Sequence, residues 1–275
     1  MLRLSKHEGN FFTILLEQSI GLKGLDLQAA NRNVKKPEQK GKIPGHLMPI
    51  YRLIEELVFP PPEYADPSGL LAVGGDLSSE RLLEAYRLGI FPWYSEDQPI
   101  LWWSPDPRLI LDLGDFKISR SLRKTLKKGI FQVTFDRAFE EVIRACASVP
   151  RAGQSGTWIT EEMQKAYINV HGLGYAHSVE TWFEHQLVGG LYGISLGKAF
   201  FGESMFHHRT DASKIALATL VEKLKGWDFH FIDAQMATDH MITLGAKEVP
   251  RRIFLKRLQG ALRHPHKRGR WRVNE

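Results

Sequence analysis

Between Tyr175 and Phe206 the chain reads as three strands joined by two turns, and this run limits the fold more than any other stretch. Ala176 to Phe183 is bounded by a turn at Glu184-His185-Gln186, Leu187 to Ser195 by one at Leu196-Gly197-Lys198, and Ala199 to Phe206 follows. Turns this short join antiparallel neighbours, so the run predicts a meander. Asp211 or Ser213 then opens a helix through Leu224, Phe229 to Gln235 predicts a further strand, and Pro250 to Leu262 a final helix. Meander, helix, strand and helix make an α+β fold. The glycines at 189, 190, 193 and 197 lie in strands and a turn, where they permit close packing or bulges and do not form a dinucleotide-binding fingerprint.

Composition divides the chain upstream. Ala30 to Lys42 is polar, charged and aperiodic, which marks residues 1–47 as linker or disordered extension. The register changes at Met48-Pro49-Ile50-Tyr51, with turn chemistry at Asp66-Pro67-Ser68-Gly69 and Gly74-Gly75-Asp76. Ser78 and Ser79 can cap a helix from Glu80 to Leu88 that Gly89 ends. Leu109 to Leu113 predicts a strand, and Ser119 an N-cap for a helix to Lys128 closed by Gly129. In that helix Ile118, Leu122 and Leu126 recur at fourfold spacing, while Arg120, Arg123, Lys124 and Lys127 fall on the other side. Such a face either contacts a polyanion or is simply solvated. The resulting partition is 48–107 for a smaller first domain, 108–262 for the second, and 263–275 for a basic tail whose stretch His264 to Arg272, with Trp271, either touches RNA or is a solvated tail, the latter being the preferred account.

Three tryptophans, Trp93, Trp102 and Trp103, fall within eleven positions interrupted by Pro and Asp, a spacing that fits neither a helix face nor an alternating strand. Rings on Pro-braced turns can stack flat groups such as nucleobases. They can equally be a loop-rich core packed with indoles. An excess of 37 Lys and Arg over 31 Asp and Glu, for a net charge of +6, favours a polyanionic partner without requiring one. The lone Cys146 excludes an internal disulfide and a Cys-based zinc site, and suits a reducing compartment. No run approaches the roughly eighteen apolar residues of a membrane span, and Phe11 to Leu16 is stopped by Glu17 without a cleavage site, so neither a membrane nor a secreted location is expected.

The chemistry-bearing residues sit in the later strands. Alternation places Phe201, Glu203 and Met205 on one face, and Phe229, Phe231, Asp233 and Gln235 on one face of the next strand. A carboxylate beside apolar surface is costly unless a cation or donor meets it. Glu203 and Asp233 therefore read as site residues or as paired strand-end acids, and spacing alone leaves both open. His207, His208 and His240 lack metal-ligand spacing, and no metal is expected.

Taken in order, Gly69-Leu70-Leu71-Ala72 with Gly74-Gly75-Asp76-Leu77-Ser78, Gly89-Ile90-Phe91-Pro92-Trp93, Trp102-Trp103-Ser104-Pro105-Asp106-Pro107-Arg108, Gly156-Thr157-Trp158-Ile159-Thr160, Gly202-Glu203-Ser204-Met205-Phe206, Ala212-Ser213-Lys214 and Ile232-Asp233 with Gln235 resemble the bacterial leucyl/phenylalanyl-tRNA-protein transferases. The resemblance runs from about Met48 to Leu262. It implies a small amino-terminal α/β domain and a second, mixed-sheet domain of acetyltransferase-like (GNAT-type) topology. The implied reaction moves Leu, Phe and, less readily, Met from aminoacyl-tRNA to a protein beginning with Arg or Lys, marking it for degradation, in the cytoplasm and without a cofactor. Tyr86 and Trp93 would hold the terminal adenosine, Trp158 and Tyr167 match active-site aromatics, and Arg120, Lys124 and Lys127 would contact the tRNA backbone.

The residues suit that chemistry. An aminoacyl ester is already activated and an α-amine of pKa about 7.7–8.0 is partly neutral at pH 7, so alignment and oxyanion stabilisation are the main needs. Gln235 cannot titrate and can only orient or relay, whereas Asp233 can support it or act as base. Glu203 suits a counter-ion for the acceptor's Arg or Lys, with Met205 lining the pocket for the transferred side chain. A monomer is expected. Because the family pattern begins at Met48, translation starting there is the preferred account of residues 1–47, ahead of a disordered extension. Two rivals stand against this reading. An acetyl-CoA-dependent acyltransferase would need a pyrophosphate loop that Gln186 to Leu191 does not supply, and an RNA-binding module leaves Glu203, Asp233 and Gln235 without a role.

Overall fold

The computed structural model describes residues 50–149 and 157–273; the expectations for residues 1–47 and for Met48 lie outside them. Strands β1 (Tyr51–Leu53), β2 (Leu70–Gly74), β3 (Phe91–Pro92) and β4 (Leu101–Trp103) form a four-stranded sheet in the order β1-β2-β4-β3, with helix α1 (Ser79–Arg87) between β2 and β3. Then follow β5 (Arg108–Asp112), α2 (Arg120–Lys128), β6 (Gln132–Phe135), α3 (Phe139–Ser148), α4 (Glu161–Gly172), β7 (Ala176–Phe183), β8 (Gln186–Leu196), β9 (Ala199–His207), α5 (Ala212–Gly226), β10 (Phe231–Asp233), α6 (Asp239–Thr243), β11 (Lys247–Val249) and α7 (Arg251–Leu262). Their strands make a seven-stranded sheet, β11-β5-β10-β9-β8-β7-β6. The fold is mixed α+β, built on two mixed sheets.

The meander β7-β8-β9 forms as the short turns require, and the later elements fall within a few residues of their expected bounds. Within this sheet the described neighbours are antiparallel except β9 and β10, which run parallel because α5 carries the chain back across the sheet between them. Ser78 caps α1, accepting from Arg81 N, and Ser119 caps α2, which ends on left-handed Gly129. Helices α3 and α4 and strands β1, β2, β6 and β11 have no counterpart in the sequence reading. One hydrophobic cluster runs from the first sheet through α3, α4 and α7 to one face of the second sheet, and another fills its opposite face under α5.

Two expectations are corrected here. The Trp cluster is partly strand: Trp102 and Trp103 are adjacent in β4, each almost wholly buried, because both faces of that strand are covered and no polar alternation survives. The indole N–H of Trp102 donates to Gly74 O at 2.8 Å and that of Trp103 to Trp93 O at 2.7 Å, so these rings are satisfied core members. The tail is exposed along most of its described length, as a solvated tail would be, but its Trp271 is not. Trp271 is 1% exposed, stacks on His177 at 3.7 Å and donates its backbone N–H to Asp136 Oδ2 at 2.7 Å.

Candidate active site

A register shift in β9 builds the site. Pairing with β8 steps from Phe201↔Ile194 and Gly202↔Gly193 directly to Ser204↔Tyr192, leaving Glu203 as the extra residue of a β-bulge. A Cβ at Gly193 would run into the carbonyl oxygen of Phe201, so glycine is what lets β8 pass the bulge. Past the extra residue the alternation reverses. Phe201 belongs to the first hydrophobic cluster with Tyr192 and Ile194, while Met205, opposite Leu191, packs on the second. The expected shared face of Phe201, Glu203 and Met205 is therefore corrected: Met205 lies across the sheet from the groups that hold Glu203. A similar correction applies to Phe229, which lies before β10 and packs near Trp271, so Phe231 and Asp233 are on the site side without it.

Beside this bulge the parallel pairing of β10 ends at Asp233↔Phe201. The chain then turns away through Gln235, whose φ of 55° lies in the left-handed region, which costs a non-glycine residue about 1 kcal/mol or more. Asp233 holds that turn by accepting the Gln235 backbone N–H at Oδ1, 2.9 Å. The notch between the diverging ends of β9 and β10 is lined by Glu203 and Gln235.

Glu203 is surrounded by donors. Oε1 accepts from the Tyr86 hydroxyl at 2.7 Å and from Gln235 Nε2 at 3.1 Å, and Oε2 accepts from the Tyr167 hydroxyl at 3.0 Å. The two tyrosine hydroxyls are 2.5 Å apart. Tyr86 comes from α1 and leans edge-on against the Phe201 ring; Tyr167 comes from α4 and leans edge-on against Tyr192. No cation is among these contacts. Burial accordingly pushes the Glu203 carboxyl from 4.5 up to about 7, against the hydrogen bonds from Tyr86 and Tyr167. Burial, and then the Glu203 charge, push both tyrosine hydroxyls well above their ordinary value.

Asp233 lives in a different and more deeply buried environment. Arg108 Nε donates to its Oδ1 at 2.8 Å and Nη2 to its Oδ2 at 2.7 Å, and both side chains are fully buried. Both oxygens of this carboxylate are engaged by the guanidinium fork, and Oδ1 also accepts the Gln235 backbone N–H. Arg108 was missed as a site residue. Its signal was an arginine opening the apolar strand Leu109-Ile110-Leu111, a place where burial demands a carboxylate.

The other expected residues distribute around this centre. Trp93 is 9% exposed, edge-on to Trp103, and its neighbour Tyr94 donates to Glu162 Oε2 at 3.2 Å, which seats this loop at the start of α4. Trp158, half-buried, sits just before α4 on the rim of the first cluster. Arg120, Lys124 and Lys127 are exposed on α2, which Leu122 anchors and which Thr125 ties to Asp211, the residue before α5. Among the described residues no ion pair involves these three cations. No group of three His, Cys, Asp or Glu able to hold a metal is found among the described residues.

Comparison with known proteins identifies the family. Residues 110–259 match the family model described as leucyl/phenylalanyl-tRNA protein transferase, and residues 75–106 match the model of its N-terminal domain. A leucyl/phenylalanyl-tRNA–protein transferase of Syntrophotalea carbinolica is 62% identical over 218 residues, 79% of this chain and 95% of its own. One from Myxococcus xanthus is 57% identical over 226 residues, 82% of this chain and 97% of its own. The solved structure of L-PGS from Bacillus licheniformis covers 73% of this chain and 66% of its own at 12% identity and a TM-score of 0.34, too loose to bear on fold or chemistry. With identity this high over nearly the whole length of such relatives, the chain belongs to the leucyl/phenylalanyl-tRNA–protein transferase family.

Proposed function

We propose that the notch beyond Phe201 and Asp233 is where this transferase joins its two substrates. The chain moves Leu or Phe from aminoacyl-tRNA onto the amino terminus of an acceptor protein, and the product is marked for degradation through the N-degron pathway. The bond that forms joins the aminoacyl carbonyl carbon to the acceptor's α-nitrogen. The bond that breaks is the ester to the terminal ribose of tRNA, whose oxygen ends with the proton that the nitrogen loses.

The observation that carries the placement is the double tether on Gln235. With Nε2 committed to Glu203 and its backbone N–H to Asp233, the amide presents Oε1 to the notch, where it can accept from the attacking amine and orient it. Gln235 is thus the positioning group at the reacting nitrogen and Asp233 its support. Glu203 keeps one acceptor direction on Oε2, and an arginine or lysine side chain of the acceptor would supply the cation that its burial lacks. Tyr86 is fully buried with its hydroxyl on Tyr167 and Glu203, so it is reassigned from the adenosine to holding Glu203 together with Tyr167; Trp93 keeps the expected adenosine role and Trp158 that of a site aromatic. Met205 is left out of this pocket. Arg120, Lys124 and Lys127 give non-sequence-specific affinity for tRNA phosphates.

The single described parallel pair of the second sheet, opening at its carboxyl end into the notch, supports an acetyltransferase-like reading of residues 108–262, with residues 48–107 as the smaller domain. Among the described residues no helix is long and apolar enough to cross a membrane. A cytoplasmic monomer taking Leu, Phe and less readily Met belongs to the same proposal. The test is to incubate the protein with radiolabelled Leu-tRNA and peptides differing only in an amino-terminal Arg or Ala. Label in the Arg peptide alone is the expected result; equal label in both would remove the cation-reading role of Glu203.

A further inference from the structure

Arg108 joins several elements that meet beside the site. Besides its fork on Asp233, Nη1 donates to the carbonyl of Gly89 at 3.1 Å, and the guanidinium lies between the rings of Phe91, 4.8 Å away, and Phe254, 4.5 Å away. Gly89 closes α1, its N–H bonded to the carbonyl of Tyr86 at 3.1 Å. It is pinned in turn by α7: at its φ of +74° a Cβ would lie 2.7 Å from Leu255 and 2.8 Å from Phe254. A single guanidinium therefore connects the end of the helix that supplies Tyr86, the aromatic side of α7, and the carboxylate that holds Gln235 in its left-handed turn.

We infer that Arg108 is a positioning residue of the transfer reaction, fixing the Gln235 amide through Asp233 and setting its distance from the Tyr86 hydroxyl through Gly89. The inference rests on the reading of Gln235 as the group that orients the amine. The contacts are specific to a planar fork: two donors run to one carboxylate while a third, on the remaining terminal nitrogen, reaches a carbonyl on another element. A lysine keeps the charge but can supply no such three-point geometry. Stability alone does not account for the arrangement, because a buried ion pair is poor evidence of net stabilisation. The arrangement's specific product is the orientation of a side chain two residues from Asp233.

The test is a double-mutant cycle between Arg108→Lys and Gln235→Ala, read as kcat and KM for Leu-tRNA and an Arg-initiated peptide, with thermal melts and tRNA affinity measured on each protein. Arg108→Lys is expected to bind tRNA with wild-type affinity and to lose kcat by roughly 10- to 100-fold, as displacement of a positioning group by about 1 Å does. In the Gln235→Ala background the same change is expected to cost less than about twofold, since groups acting as one unit are not additive. Partial recovery of kcat in Arg108→Ala by added millimolar guanidinium is a second expected readout that a purely structural role would not produce. Wild-type kcat in Arg108→Lys, or an equal loss in both backgrounds, overturns the inference while leaving Gln235 in place. Full activity in Gln235→Ala overturns the reading beneath it and the inference with it. Should Arg108→Lys not fold, Asp233→Asn, which keeps an acceptor oxygen but releases the guanidinium, replaces it in the cycle with the same outcomes.

Discussion

Two buried carboxylates of this protein, Asp136 and Glu203, anchor polar clusters that look alike in composition and differ in closure. At Asp136, Oδ1 accepts from Ser178 N at 2.9 Å, and Oδ2 accepts from His177 Nδ1 at 2.8 Å and from Trp271 N at 2.7 Å. The Trp271 ring seals this cluster, stacked on His177 and ringed by Phe135, Phe200, Trp227 and Phe229. At Glu203 the donors are two hydroxyls and a side-chain amide, an edge stays partly exposed, and the carboxyl is pushed up to about 7. The first cluster fastens the end of the chain to the body of the fold. The second is a partly exposed carboxyl with only neutral donors in contact, which is why the proposed reading makes it a binding site and the first an internal brace.

The comparison can be broken most easily at Trp271. Trp271→Ala is expected to cost about 3–5 kcal/mol of stability, the range for deleting a large buried ring, while kcat per folded molecule stays within about twofold. Chemical denaturation and active-site titration measure both. If kcat fell with stability preserved, the tail would belong to the site.

The next effect has the opposite sign. A carboxyl whose folded pKa is raised from 4.5 to about 7 contributes stability that is full below pH 4.5 and lost as pH rises through 7, amounting to about 3 kcal/mol at 1.36 kcal/mol per unit. Glu203→Gln is therefore expected to stabilise the protein at pH 8 by about 2–3 kcal/mol while weakening transfer to Arg-initiated peptides. In the wild type kcat/KM for such a peptide should rise through pH 7 as Glu203 ionises, with the α-amine adding a second rise near pH 8. The variant should keep only the second. His177 works the other way: burial holds its imidazole below the usual range, so its contribution is lost as pH falls below 6.5. In melts from pH 5 to 8 the wild type should therefore lose stability relative to Glu203→Gln as pH rises through 7.

A third difference concerns turnover alone. Gln235→Ala is expected to lower kcat by about 100-fold, the scale of losing one group aligned at the reacting centre, with tRNA binding intact. Loss of binding in parallel would mean that Gln235 holds the fold of the notch instead of the amine.

The smallest effect separates the site from the surface that feeds it. Reversing Lys124 and Lys127 to Glu should weaken Leu-tRNA use by about tenfold at moderate salt and flatten its salt dependence, because each phosphate contact contributes nearly one unit of slope. Transfer from a minimal aminoacyl-adenosine should be unchanged. Equal loss on both donors would move these cations into the site itself.

Much of this was legible in the chain. Short turns at Glu184-His185-Gln186 and Leu196-Gly197-Lys198 dictate antiparallel neighbours, and Ser78, Ser119 and Gly129 punctuate α1 and α2 because a free hydroxyl or a missing Cβ settles a helix end locally. The family motifs, being a matter of residue order, were legible as well. Met205, Trp271 and the Trp102-Trp103 pair were not. Strand alternation assumes an unbroken ladder, and one extra residue at Glu203 reverses it for everything downstream. Whether an indole or a basic tail is covered depends on elements far away in the chain, as α3 and α4 are from β4.

By itself, then, the sequence determined the α+β class, the meander, the ends of the first helices and the family, since each depends on local geometry or residue order. Only the tertiary structure decided which acid meets a cation and which meets neutral donors alone. Asp233 ends its strand and Glu203 lies in the middle of the neighbouring one, but Arg108, 125 positions before Asp233, hydrogen-bonds only the first of them. Burial removes the water that would have made the two carboxylates alike, so the placement of one guanidinium sets their environments apart, and the proposed roles of support and counter-ion rest on that difference.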